Sequence, residues 1–283
     1  MRGVMNIKNL IAIFVLFSLI VATSAFAEEK YQDVFYPNGM PEKEGVYGEG
    51  PTVYNLYSEL KIPDTNLIVV VFSENIIVGE YSNNDYTVFI SILESNIDGS
   101  FRIKCVKDIT DYLKLSMEEG PGSFLTMTAN LNFFKISKDL NAVHLSMDNI
   151  LAGSGGLDGE SDVIFLIKDN QLVPVLELVE DGSGGRAGAS HSSFSHTFIY
   201  LANVDSNGSV DIITQGYEYY SDQHEGVFKS ELSPKLKVYK YNYKENKYKL
   251  NGKRTSLPKH AINLKQTIMP NVKALTKHGL DSN

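Results

Sequence analysis

Three pairs of short runs rich in β-branched and aromatic residues, each folded about a turn dipeptide, leave this chain few choices of fold. The first pair, YTVFISILESNIDGSFRIKCV, turns at Asp98-Gly99; the second, VIFLIKDNQLVPVLEL, at Asp169-Asn170; the third, LKVYKYNYKENKYKL, around Glu245-Asn246. Asp, Asn and Gly between alternating runs are hairpin residues, because they tolerate the positive φ that tight turns need. The pairs begin at Tyr86, Val163 and Leu236, which are 77 and 73 residues apart. Each follows a further pair of candidate strands: LIVVVFSENIIVGEY, NFFKISKDLNAVHLSM and HTFIYLANVDSNGSVDIIT. The expectation is an all-β fold: a propeller-like or β-sandwich body of about three four-stranded units, with few short helices. Closed propellers use about four to eight blades, so a compact double sheet fits the pattern as well.

The flanks of this body read differently. Arg2 and Lys8 precede the apolar run Leu10 to Ala22, and Ala25-Phe26-Ala27 follows as a small-residue cleavage site. Residues 1–27 are therefore expected to be a signal peptide cut after Ala27, the apolar run being too short to span a bilayer. That places the mature chain outside the cytoplasm, secreted or periplasmic, and not membrane-spanning after cleavage. Residues 28–66 are turn-rich, with a short helix expected over TVYNLYSEL; residues 67–250 form the β-rich domain. A helix is expected at DITDYLKLSMEE, where Asp108 can cap. Residues 251–283 read as a basic C-terminal tail. Cys105 is the only cysteine, so no intrachain disulfide forms, and its alternation with Ile103 reads as a core position.

Charge divides the chain. Residues 28–228 carry 11 Lys and Arg against 31 Asp and Glu, a net of −20, whereas residues 229–283 carry 13 against 3, a net of +10. Either the basic end docks on the acidic body in cis or it meets an anionic partner. An exported chain with a net charge of −8 is not expected to bind nucleic acid.

The stretch LANVDSNGSVDIITQ carries most of the chemistry. Asn203, Asp205 and Asn207 alternate, Gly208 follows, and Asp211 comes three residues later. Side-chain oxygens thus fall at loop positions 1, 3, 5 and 9, Ser209 at position 7 offers its carbonyl, and glycine permits the reversal. A calcium ion takes about six to eight oxygens at about 2.4 Å, and alternate donors on a curled backbone can converge on it. The same residue types also make plain turns. The β-rich flanks, with Thr214 where an EF-hand places its bidentate Glu, separate the stretch from a helix–loop–helix site.

On Asn203, Asp205, Asn207, Gly208 and Asp211, followed by DIIT, the chain resembles the strand–loop–strand calcium motif of FG-GAP and VCBS repeat proteins over about 20 residues. The resemblance implies a propeller-type blade whose loop holds calcium through the side chains of Asn203, Asp205, Asn207 and Asp211. The family's Phe-Gly and Gly-Ala-Pro elements do not flank the loop, and one such loop is well formed where the family usually has several.

Other candidates are weaker in chemistry. Glycine-rich connections at LAGSGGLDGESDV and VEDGSGGRAGASHSSFSH lack the G-K-[ST] of a phosphate loop and read as rim loops. Asp158, Glu160 and Asp162 read as exposed acids or a poorer cation site. His191 and His196 flank SSFS without a G-x-S-x-G elbow, so a hydrolase is the least supported alternative. Tyr239, Tyr241 and Tyr243 share one face of the last hairpin with Lys235 and Lys237, opposite Leu236 and Val238. That stripe reads as half-buried packing or as an aromatic, cationic surface for a protein or cell-envelope glycan. The functional expectation is an exported, non-enzymatic binding protein with one structural calcium loop. The alternative is a periplasmic inhibitor or immunity protein whose acidic body blocks a basic cell-wall hydrolase.

Overall fold

The computed structural model describes residues 30–45, 48–78, 81–113, 124–152, 158–180, 191–204, 209–222 and 227–264. The fold is all-β: three antiparallel sheets stacked face to face, in the manner of neighbouring propeller blades. The first sheet has the order β1 (Glu42–Gly45), β2 (Gly48–Lys61), β3 (Leu67–Val78), β4 (Tyr81–Ser95), β5 (Phe101–Asp108). The middle sheet runs β6 (Phe124–Ser137), β7 (Leu140–Ala152), β8 (Asp158–Lys168), β9 (Gln171–Glu180). The third is built on β10 (His191–Ala202), β11 (Asp211–Asp222), β13 (Leu236–Asn242) and β14 (Lys247–Arg254). Two further strands join the third sheet, β12 (Val227–Leu232) on β11 and β15 (Ile262–Asn263) on β10.

All three expected hairpin turns occur where their dipeptides stand. Gly99 has φ 83°, Asp169 and Asn170 have φ 52° and 59°, and Asn246 has φ 50°. Paired positive φ at Asp169-Asn170 is the geometry whose twist matches the strands it joins.

Two local readings differ from the structure. Residues 67–78 form one long strand, not a strand pair, and the fourth strand of the first unit is β2. β2 occupies the stretch expected to hold a short helix. Its Thr52, Tyr54 and Leu56 alternate with Val53 and Asn55, and a bulge between Leu56 and Ser58 resets the register. Of the helix expected after Asp108, a 3-10 turn at Thr110–Leu113 is present, and residues 114–123 lie outside the described set. The signal peptide and the central parts of both glycine-rich connections (153–157 and 181–190) also lie outside it, while the flanking residues expected in those rim loops, 158–163 and 191–196, are strand in β8 and β10.

Because side chains alternate across a strand, the middle sheet presents two apolar faces. Met127, Ala129, Val143, Leu145, Met147, Val163 and Phe165 pack against Val69, Val71, Val88, Ile90 and Ile92 of the first sheet. The opposite face, with Phe134, Ile136, Ala142, Ile164 and Leu166, packs on Ile199, Leu201, Ile212, Tyr241 and Tyr248 of the third.

The outer faces are covered by chain ends. Residues 30–41, with the single-turn helix α1 (Gln32–Phe35), lie over Tyr54, Val70, Phe72 and Leu93 of the first sheet. The rings of Phe35 and Phe72 stand 4.2 Å apart. Two acids hold this strap: Lys30 and Tyr31 both bond Glu59, and Tyr36 and Lys43 both bond the buried Glu74. On the third sheet, Ala261 and Val204 cover Ile213, Leu236 and Val238, and ordered chain runs past residue 251 to the buried Leu264.

Cys105 packs half-buried against the core between the first two sheets, and burial pushes its thiol pKa up. A bulge between Ile92 and Leu93 turns Ile103 away from that core, so the two residues do not share a face as their alternation suggested.

Candidate functional site

The loop joining β10 to β11 ends on a three-point clamp. Val210 donates its N–H to the carbonyl of Ile136, at the end of β6 in the middle sheet, at 2.8 Å. Its own carbonyl accepts the Tyr248 hydroxyl, from β14, at 2.8 Å. Ser209 and Tyr243 share a hydroxyl–hydroxyl hydrogen bond across 34 residues of sequence. Asp211, buried at the first residue of β11, closes the loop by accepting the Val204 N–H at 3.0 Å. The loop is thereby tied at once to the middle sheet and to both sides of the β13–β14 hairpin.

Of the five candidate calcium donors, Asn203 stands exposed at the mouth and Ser209 and Asp211 are buried at the base. Asp205 and Asn207 lie outside the described residues. Among the described residues no three His, Cys, Asp or Glu side chains converge in a group that could hold a metal ion; the 203–211 donor set is, by composition, two amides, two carboxylates and one backbone carbonyl.

The tyrosine stripe meets this loop. Tyr241 is buried and Tyr239 half-buried in the layer between the middle and third sheets, while Tyr243 at the hairpin tip is 54% exposed. Tyr241 packs edge-on against both Tyr243 (5.1 Å, 85°) and Tyr248 (5.2 Å, 69°). Burial, then the Asp211 charge, pushes the Tyr248 hydroxyl far above its ordinary pKa, so it stays a donor to Val210 throughout the physiological range. Lys235 and Lys237 are exposed. Beside the tip, Lys240 to Lys244 and Lys249 to Asn251 line a shallow, open depression of about 640 Å³.

A second polar cluster carried no sequence signal. His144 on β7 and Asp162 on β8 share a face of the middle sheet, and His144 Nε2 lies 2.7 Å from Asp162 Oδ1. Both side chains are sealed, at 0% and 3% exposure, beneath the third sheet. Asp162, expected among exposed acids, thus points inward; Asp158 and Glu160 have side chains outside the described set, as do His191 and His196. Among the described residues the His144 Nδ1 has no hydrogen-bond partner.

No protein-family model, curated protein or solved structure matches the chain.

Proposed function

We propose that this chain is an exported, non-catalytic binding protein in which calcium at residues 203–211 fixes the tip of the β13–β14 hairpin as a recognition surface. The observation that carries the reading is the Ser209–Tyr243 hydrogen bond, reinforced by Tyr248 on Val210. An ion gathering Asn203, Asp205, Asn207, Asp211 and the Ser209 carbonyl would hold Ser209 in place, and Ser209 in turn holds an exposed tyrosine. The donor set contains two carboxylates, which favours the weak, extracellular range of calcium affinity, about 10⁻⁴ to 10⁻³ M. Among the described residues the arrangement nearest to an acid–base dyad, the His144–Asp162 pair, is closed off between two sheets and out of reach of a bound substrate.

At a free calcium ten times its dissociation constant, binding stabilises the fold by about 1.4 kcal/mol. For a chain of this length that is a rise in Tm of about 3–5 °C. The test is thermal unfolding of residues 28–283 in calcium, in magnesium and in chelator, beside Asp205→Ala and Asp211→Ala. A calcium-specific rise lost in both variants supports the reading. Asp205→Ala is the cleaner variant, because Asp211 also closes the loop through Val204. Cooperative unfolding at one temperature in all three solutions makes the stretch a plain turn.

A further inference from the structure

We infer that the depression at the β13–β14 tip binds an anionic polysaccharide, its sugar rings seated on Tyr243 and its carboxylate or phosphate groups on the surrounding lysines. The inference rests on the binding-protein reading above and supplies its ligand class.

Charge comes first. Residues 235–254 hold eight Lys and Arg against one acid, Glu245. The strand register sets these cations against one another, with Lys237 opposite Lys253 and Lys240 opposite Lys249. Like charges directly across an antiparallel pair destabilise it, and Lys237 against Lys253 carries a cost that a polyanion removes. Lys249 pairs with Glu245 of its own turn, while Lys237, Lys244, Lys247, Lys253 and Arg254 form no ion pair among the described residues.

Shape and chemistry then narrow the partner. The depression is shallow and open, which suits a ligand lying across it better than an enclosed small molecule. Its floor offers one exposed ring, Tyr243, beside the side chains of Asn242 and Asn251 and the lysines. Tyr243 is held before any ligand arrives, by the edge of Tyr241 and by Ser209, so little freedom is lost on binding. A sugar ring has an apolar face for the tyrosine and a hydroxyl edge for the amides, and an acidic sugar adds the anion for the lysines. A protein partner fits less well, since lysine is depleted from protein interfaces and the exposed large apolar groups at the tip are Tyr243 and Leu250.

The experiment uses residues 28–283 in calcium, titrated by fluorescence against polygalacturonate and a phosphodiester-linked glycan. Neutral dextran, polyglutamate, single-stranded DNA and anionic phosphatidylglycerol vesicles serve as comparisons. Binding to either charged glycan, tighter than to every comparison and weakened by salt, is expected; which of the two binds distinguishes carboxylate from phosphate. Tyr243→Ala should weaken it about tenfold while the salt dependence stays, and Tyr243→Phe, which keeps the ring, should stay within about twofold. Lys244→Gln with Lys247→Gln should weaken it about tenfold and flatten the salt dependence. Equal binding of polyglutamate with no effect of Tyr243→Ala overturns the sugar assignment, as does tighter binding of DNA or vesicles, or no binding to any glycan at low salt. A chelator arm separates the two proposals. Glycan binding that survives chelation removes calcium from the function and leaves the ligand class standing; a calcium-dependent Tm without glycan binding does the reverse.

Discussion

Removing one half of the His144–Asp162 pair should cost more than removing both halves. The two groups meet at 2.7 Å with side-chain exposures of 0% and 3%, so neither is hydrated. Their carriers are diagonal neighbours: Ser146, not His144, stands directly opposite Asp162. The carboxylate accepts from the Nε2–H, which leaves Nδ1 as the unpartnered atom. Taking an ion out of water costs several kcal/mol, and a partner at this distance roughly offsets it; deleting the partner alone typically costs about 3–5 kcal/mol. His144→Leu keeps the volume and removes the unsatisfied Nδ1, itself worth about 1–3 kcal/mol, so its loss should fall at the lower end, about 3 kcal/mol. Adding Asp162→Val removes the buried carboxylate as well, and the double variant should return to within about 1 kcal/mol of the parent or exceed it. The assay is urea unfolding of residues 28–283 at pH 7, reading midpoint and slope for the parent, both single variants and the double. Contacting residues couple by about 0.5–3 kcal/mol, and here the coupling should sit near the top of that range. A His144→Leu loss below about 1 kcal/mol, or single losses that simply add, would refute the broken His144–Asp162 contact as the cause.

Further outcomes follow from individual contacts. Tyr248→Phe deletes the bond to Val210 and should cost about 1 kcal/mol in the same urea assay, with a larger share lost from exchange protection at residues 209–211 than elsewhere. Phe35→Ala removes the ring stacked on Phe72 and Tyr54 and should cost about 2 kcal/mol, read as faster proteolysis within residues 30–45. Burial pushes the Glu59 carboxyl up, but the bonds from Lys30 and Tyr31 and the Lys30 charge outweigh it and hold it below its ordinary 4.5. A depressed carboxyl contributes stability above its unfolded pKa and loses it as pH falls through the folded one, so the strap should loosen below about pH 4.5. Limited proteolysis with an acid-active protease reads this, and Glu59→Gln, already lacking the clamp, should lose the pH dependence. Because both partners are near half exposed, the effect should stay within about 1 kcal/mol.

The fold was legible where a residue type admits few backbones. Asp98-Gly99, Asp169-Asn170 and Glu245-Asn246 marked their turns because positive φ restricts which residues can stand there. β2 was hidden because Gly48, Gly50 and Pro51, through which it pairs with β1, are also the residues of irregular surface chain, and a bulge interrupts its alternation. His144 was hidden for another reason. In AVHLSM the alternation correctly sets His144 and Ser146 opposite Val143, Leu145 and Met147, but period two says only that the faces differ. That the polar face is also interior follows from the third sheet, whose strands lie some 50 residues or more along the chain. The 203–211 loop and the tyrosine stripe were each legible alone, whereas their contact through Ser209 and Tyr243 is a product of sheet order with no local trace.

The three sheets are not equivalent, and their differences bear on where the protein acts. A middle sheet covered on both faces needs only its four strands, and β6 to β9 carry no addition. In a closed ring the outer faces of the first and last sheets would cover each other; here residues 30–41 cover one and the segment around Ala261 helps to cover the other. Those covers account for β1, which leads out of the strap, and for β15, which pairs with β10 beside Leu264. Packing on a neighbour does not account for the rest of what the third sheet adds: a β10–β11 loop rich in oxygen donors and a hairpin with lysine set against lysine. In repeat architectures, departures from the shared unit that packing does not require gather on the working face. Both departures meet at Ser209 and Tyr243, 34 residues apart in sequence and hydrogen-bonded in space, so one end of one sheet holds the features that the fold itself does not need.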